Sequence, residues 1–103
     1  MTDSKDFLFT FARGLAVIKS FSNDPQQTIS SVAVKNNLSR SAARRFLLTL
    51  ETLGYVSSAG KQFSLTAKVL ELAYVYLANL NYPDTIMPYL EQLSFAVKES
   101  CSA

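Results

Sequence analysis

The sequence contains no histidine and a single cysteine, Cys101. Zinc sites and thiol–imidazole pairs are built from these two residue types, and an internal disulfide needs two cysteines. The three glycines lie far apart, at Gly14, Gly54 and Gly60, so there is no glycine-rich loop to cradle a phosphate. Serine–lysine or paired-carboxylate catalysis remains compatible with the composition, but nothing in the sequence supports it. We therefore expect no metal, no cofactor and no enzymatic activity.

Long hydrophobic runs are also missing. The run from Leu72 to Ala78 ends at Asn79, well short of the roughly 18 apolar residues that a membrane-spanning helix needs. The first six residues are polar and carry acids, without the pattern of a cleavable signal peptide. These features predict a cytoplasmic protein that does not enter a membrane.

Charge is distributed unevenly along the chain. Residues 1–61 hold eight Lys or Arg and four Asp or Glu, a net charge of +4, whereas residues 62–103 have a net charge of −2. Within residues 35–61 five basic side chains are accompanied by one acidic side chain, Glu51. A positive field on one module suits a phosphate backbone and raises the rate of association with it. The hydrophobic content of 49% is high for a short chain, so we expect apolar surface to remain for a partner.

One helix with both ends marked is predicted between Asn37 and Gly54. Asn37 tolerates the left-handed backbone of a tight turn, Ser39 can cap the first turn, and Gly54 suits the left-handed residue that ends a helix. Its apolar positions form one stripe: Ala43, Phe46, Leu47, Leu50 and Leu53. Its N-terminal half presents Arg40, Ser41, Arg44 and Arg45 away from that stripe. These arginines suit an anionic partner; plain solvated charge is the alternative interpretation.

Two further helices are predicted before it. The spacing of Phe11, Leu15 and Ile18 predicts a first helix over about residues 7–21. Its apolar arc is wider than one core can bury, which favours self-association over burial on two sides within one chain. Residues 26–29 are expected to form a short strand, and Ser30 to cap a second helix over residues 31–36. A helix, a tight turn and an arginine-bearing helix form the helix-turn-helix arrangement.

An extended pattern follows Gly54. Residues 55–58 and 62–65 flank Ala59-Gly60-Lys61 and predict a small β-hairpin, with Lys61 at its tip. A lysine in that position could reach a phosphate, although a lone tip lysine is more often only solvated. Thr66 is expected to open a helix that is apolar nearly all round up to Leu80 and that a second subunit would bury. A last helix is predicted over residues 83–99.

Several segments resemble the N-terminal domain of IclR-type transcriptional regulators. They are FARGLAVI at residues 11–18, LSRSAARRFLLTL at 38–50, LGYV at 53–56 and FSLTAKVLELA at 63–73. The resemblance covers about residues 9–103 and is strongest to the branch that controls breakdown of aromatic acids such as protocatechuate and 4-hydroxybenzoate. It implies a mainly α fold with a small β-hairpin. Residues 1–80 would form a winged helix-turn-helix DNA-binding domain, in which the hairpin is the wing. Residues 81–103 would then hold a linker helix and the start of an effector-binding domain that this chain lacks.

The resemblance also implies two groups of DNA-contacting residues. The recognition-helix face is Arg40, Ser41, Arg44 and Arg45. Within it, Arg44 and Arg45 are the candidates for base edges because Arg matches guanine O6 and N7 in the major groove, whereas Arg40 could read bases or phosphate. The resemblance implies that Arg13, Ser30, Ser31 and Ser39 position the duplex through its phosphates, and we expect the same of Thr28 and of Lys61 at the hairpin tip. Capping alone is the alternative role for the serines, and capping and phosphate contact can coexist.

The chain is therefore predicted to be the DNA-binding domain of a one-component transcriptional regulator. Its expected partners are double-stranded operator DNA and a second copy of the chain, in a homodimer or, at full length, a tetramer. A small aromatic effector would act only through the missing C-terminal domain. The alternative function is a winged-helix protein–protein interaction module whose arginines meet an acidic partner.

Overall fold

The computed structural model describes residues 5–79, Pro88, Glu91 and Gln92. The elements in chain order are α1 (Phe9–Lys19), α2 (Ile29–Asn36), α3 (Arg40–Leu53), β1 (Val56–Ala59), β2 (Gln62–Leu65), a short 3-10 helix (Ala67–Val69) and α4 (Leu70–Leu77). The predicted fold class, mainly helical with one antiparallel hairpin, is confirmed. The last helix, predicted over residues 83–99, lies mostly outside the described residues. Three of its positions are described, Pro88, Glu91 and Gln92, and all three are helical.

The chain divides into two compact units, the first ending at Leu70 and the second beginning at Glu71. In the first unit, α1, α2, α3 and the hairpin enclose one apolar core. Its buried side chains are Val17, Phe21, Val32, Ala33, Ala43, Leu47, Leu50, Val56 and Phe63. The three helices α1, α2 and α3 and both strands of the hairpin therefore each contribute at least one residue to a shared core, which holds α3 and the hairpin in one module.

The ends of α3 follow the local signals. Ser39 Oγ accepts a hydrogen bond of 3.0 Å from the backbone N–H of Ala42. Asn37 has a φ of 54° and Gly54 a φ of 94°, both in the left-handed region. The predicted stripe is confirmed at Ala43, Leu47 and Leu50 but is wrong at Leu53, which is 55% exposed.

The buried side of α1 differs from the predicted one. Val17 and Phe21 are buried, whereas Phe11 and Leu15 are 67% and 47% exposed. The cause is that the C-terminal end of α1 and the residues after it enter the core, while its N-terminal half extends past the core. The hydrophobic periodicity predicted the helix correctly but did not predict which part of it packs against the core.

The start of α2 also differs from the prediction. Thr28, in an extended conformation, is the N-cap, and its Oγ1 accepts a hydrogen bond of 3.1 Å from the Ser31 N–H. Ser30 lies inside the helix and does not cap it. The strand predicted over residues 26–29 is reduced to one antiparallel bridge, between Gln27 and Phe63.

The hairpin pairs β1 with β2 in an antiparallel register that places Ser58 opposite Phe63. Gly60 adopts a φ of 65° in the turn, a left-handed value that side-chain-bearing residues rarely adopt. After the hairpin, Thr66 caps the 3-10 helix, and its Oγ1 donates to the Gly54 carbonyl at 2.6 Å. The end of α3 and the end of the hairpin are thereby tied together.

The helix α4 is apolar on several sides. Its exposed large side chains are Leu70, Leu72, Tyr74, Val75, Tyr76 and Leu77. Within residues 5–79 and the three further described positions, no helix combines the length and apolarity needed to cross a membrane.

Candidate nucleic-acid interface

The exposed side of α3 carries the two arginines predicted to contact bases. Its buried stripe is Ala43, Leu47 and Leu50. At 3.6 residues per turn, Arg44 lies about 95° and Arg45 about 165° around the helix from the centre of that stripe. Both side chains are exposed. Arg45 therefore faces almost directly away from the core, whereas Arg44 lies at its flank.

Arg44 and Arg45 have no carboxylate partner in the part of the chain that the structure describes. Among the described residues, no Asp or Glu lies within ion-pair distance of Arg44 or Arg45. Glu51, the acid on the same helix, accepts a 2.7 Å hydrogen bond from the Ser58 hydroxyl of the hairpin. The carboxylate of Glu51 is thus directed to the hairpin and forms no ion pair with Arg44 or Arg45.

Arg40 has a different environment, since it lies in the first turn of α3 beside α2. Its Nε donates to the Ser30 hydroxyl oxygen over 3.2 Å. That contact occupies one donor of the guanidinium and leaves its terminal nitrogens and the Ser30 hydroxyl proton available. Arg40 and Ser30 thus form a joint donor group that spans the first turns of α2 and α3.

The remaining predicted residues lie on α1, on α3, at the start of α2 and in the hairpin turn. Ser41 is exposed on α3, and Ser39 is exposed while its hydroxyl caps the helix. Lys61 is exposed in the hairpin turn. Arg13 is exposed on α1, where its guanidinium carbon lies 5.8 Å from the centre of the Phe9 ring. Arg13 and Arg45 line the same open groove between α1 and α3.

Comparison with known proteins gives this arrangement a family. The family profile of the IclR helix-turn-helix domain matches residues 10–60, which comprise α1, α2, α3 and the hairpin up to its turn. This chain belongs to the IclR family. Residues 10–60 are accordingly a DNA-binding helix-turn-helix of the IclR type.

Individual relatives agree with that assignment. The Pca regulon regulatory protein of Pseudomonas putida is 37% identical over 102 residues, covering 98% of this chain and 35% of that protein. The p-hydroxybenzoate hydroxylase transcriptional activator of Acinetobacter baylyi is 35% identical over 91 residues, covering 87% of this chain and 34% of that protein. The crystal structure of a transcriptional regulator from Rhodococcus sp. RHA1 matches with a TM-score of 0.67 at 47% identity, covering 89% of this chain and 36% of that one. This IclR chain spans about a third of the length of the curated relatives it matches.

Two of the residues predicted to contact phosphates, Thr28 and Ser31, also make hydrogen bonds within the IclR domain. Thr28 Oγ1 caps α2, and Ser31 contributes both its donors to internal hydrogen bonds. Its N–H donates to Thr28 Oγ1 over 3.1 Å and its hydroxyl donates to Gln27 Oε1 over 2.9 Å. Among the described residues, the hydroxyl protons of Thr28 and Ser30 thus have no internal acceptor at the start of α2, whereas that of Ser31 is donated to Gln27.

Sequence analysis missed Gln27, which is 2% exposed and is the buried polar residue of the described part of the domain. The strand predicted over residues 26–29 could have indicated that Gln27 is buried. Alternation along a strand places Gln27 on the same face as Ile29, which packs against the core. Gln26, on the other face, is exposed.

Proposed function

We propose that this domain binds operator DNA by inserting α3 into the major groove, with Arg44 and Arg45 at base edges. The observation that carries the proposal is the pair of exposed guanidinium groups on α3 without a carboxylate partner among the described residues. Arg forms two parallel hydrogen bonds with guanine O6 and N7, a geometry that requires a free, exposed fork. Arg44 and Arg45 both satisfy that requirement.

The phosphate contacts are assigned to the residues around this face. Arg40 and Ser30 act together on one phosphate, because the Nε of Arg40 is already held by Ser30 and its terminal nitrogens remain free. The free backbone N–H groups at the start of α3, beside Ser39, favour a second anion. Lys61 at the hairpin tip and Arg13 on α1 extend the contact along the backbone. Such contacts fix the register of the protein without reading sequence.

Homodimerisation is proposed from apolar surface that the first unit leaves uncovered. On and beside α1, large side chains are exposed, among them Leu8 at 70% and Phe11 at 67%. Contiguous apolar surface of this kind marks an interface in a protein that binds DNA. A two-fold dimer would require a pseudo-palindromic operator. Analytical ultracentrifugation at tens of micromolar should show a dimer, and a persistent monomer would contradict this part of the proposal.

The regulated genes are proposed to serve the breakdown of aromatic compounds. The names of the two relatives, with the Pca regulon and p-hydroxybenzoate hydroxylase in them, support that assignment. A small aromatic effector would act through a separate domain and not through residues 5–79. We assign the domain a regulatory and non-enzymatic role in the cytoplasm, where operator DNA is found.

The test is a mobility-shift titration of this chain with a mixed-sequence duplex at low salt, followed by selection of bound sequences from random DNA. The proposal predicts a shift that weakens as salt rises, because bound counterions are released from phosphates. It also predicts a selected pseudo-palindrome containing guanines. If low salt gives no shift, the arginine face belongs to a protein-interaction module that meets an acidic partner.

A further inference from the structure

A buried glutamine, Gln27, joins the helical part of the domain through its side chain to the hairpin through its backbone. We propose that Gln27 is a positioning residue for DNA binding, holding the hairpin in the register with α2 that places Lys61 against a phosphate. The inference rests on the proposed function, because it assigns Gln27 a role in the same DNA contact. It concerns a residue that makes no contact with DNA itself.

The side chain of Gln27 bridges the end of α1 and the first turn of α2. Its Nε2 donates to the Ser20 carbonyl over 3.1 Å, and its Oε1 accepts from the Ser31 hydroxyl over 2.9 Å. A carbonyl can only accept, so the Ser20 contact fixes which end of the amide carries the nitrogen. The Ser31 hydroxyl must then act as the donor, and the orientation of the amide is determined by its two partners.

The backbone of Gln27 holds the outer edge of the hairpin. The Gln27 N–H donates to the Phe63 carbonyl over 2.9 Å, and the Phe63 N–H donates to the Gln27 carbonyl over 2.7 Å. Phe63 lies in β2, two residues after Lys61 and paired with Ser58 on its other side. One residue therefore bonds to α1, α2 and β2 at once, and its attachment on β2 is close to the tip that carries Lys61.

The other attachments of the hairpin lie elsewhere. Ser58 in β1 reaches Glu51 of α3, and Thr66 after β2 reaches the Gly54 carbonyl. Both tie the hairpin to the C-terminal half of α3. Gln27 alone of these residues links the hairpin to the first turn of α2, where Ser30, bonded to Arg40 of α3, is placed for a phosphate. The relative position of the two phosphate-contacting regions consequently depends on it.

The test compares Gln27→Met with Lys61→Ala and with the double variant. Methionine keeps most of the volume but cannot donate to Ser20 or accept from Ser31, so buried polar groups lose their partners. Affinity for a mixed-sequence duplex is measured by fluorescence anisotropy over a range of salt concentrations. The slope of log K against log salt is negative, and Lys61→Ala should reduce its magnitude by about 1. The inference predicts the same reduction for Gln27→Met and no further reduction in the double variant.

Gln26→Met is the matched control, because Gln26 is the exposed neighbour of the same residue type. It should leave the slope unchanged. If Gln27→Met lowers only the melting temperature and keeps the wild-type slope, or if the two reductions add in the double variant, Gln27 has a structural role alone and the inference is wrong. Failure of the wild-type chain to bind DNA at low salt is a separate result that overturns the proposed function.

Amide hydrogen exchange tests the same inference without DNA. In Gln27→Met the Phe63 N–H should exchange faster relative to the Leu47 N–H of the core, because losing the side-chain bonds to Ser20 and Ser31 leaves residue 27, and with it the backbone bridge to β2, less firmly held. A uniform change at both amides would contradict it. If Gln27→Met does not unfold cooperatively, Ser31→Ala removes the donor to Oε1 alone and is carried through both measurements, with the same expected and contradicting results.

Discussion

Replacing Arg45 with alanine removes the guanidinium that points most directly away from the core of the domain. The side chain is exposed and has no carboxylate partner among the described residues. Its loss should therefore change the free energy of unfolding by no more than about 0.5 kcal/mol. A bidentate contact with guanine contributes about 1–3 kcal/mol of discrimination, so the dissociation constant for the selected site should rise by about 5- to 140-fold.

The assay is an anisotropy titration of Arg45→Ala against two duplexes, the site selected from random DNA and a mixed-sequence duplex of equal length. Lys19→Ala is the charge-matched control, because it removes one exposed positive charge from α1 and none from α3. The account predicts a large loss on the selected site and a small one on mixed sequence, with the control weakening both slightly. An equal loss on both duplexes would assign Arg45 to the phosphate backbone and refute the base-reading argument.

Further predictions concern the stability of the module that presents this face. Leu47→Ala should lower the free energy of unfolding by about 2–5 kcal/mol in urea denaturation, whereas Leu48→Ala, on the exposed side, should stay within about 1 kcal/mol of wild type; equal effects would contradict the orientation of α3. Gly54→Ala should lower the free energy of unfolding by about 1–2 kcal/mol, because the φ of Gly54 is 94° and an added Cβ would lie 3.0 Å from Cδ of Lys68. Thr28→Ala should lower the free energy of unfolding by about 0.5–2 kcal/mol because α2 loses its N-cap, whereas Ser30→Ala should leave the cap intact. A larger loss for Ser30→Ala than for Thr28→Ala would show that Ser30 is the N-cap.

The parts of the fold that were predicted correctly depend on local signals. The bounds of α3 follow from Ser39 at one end and Gly54 at the other, since capping and left-handed geometry depend on adjacent backbone groups. The hairpin likewise follows from Gly60 between two extended segments. Such features are decided within a few residues, so a single sequence is sufficient to locate them.

The features that were missed depend on long-range contacts. On α1, Phe11 and Val17 both fit a helical period, and only the location of the core decides that Val17 is buried. At the start of α2, Thr28 and Ser30 are both suitable caps by residue type. Thr28 takes the role because the bridge between Gln27 and Phe63 leaves it extended directly before the helix.

The candidate site divides in the same way. The exposure of Arg44 and Arg45 follows from helical geometry once the buried stripe is known, and it could be predicted. The engagement of Arg40 with Ser30 could not, because it joins two helices whose separation depends on their packing. The bond between Ser31 and Gln27 is local, but it depends on the conformation that the bridge to Phe63 gives to Gln27. Which hydroxyl remains free to donate to a phosphate is thus a property of the folded domain.

Methylation interference at guanine N7 tests the central claim most directly, because N7 lies in the major groove. The selected duplex is methylated lightly, bound by the wild-type chain, and the bound and free fractions are cleaved at methylated guanines. The account predicts that methylation of specific guanines in each half-site prevents binding, and that Arg45→Ala becomes insensitive at one of them. Binding that is indifferent to N7 methylation throughout the site would contradict a major-groove role for α3.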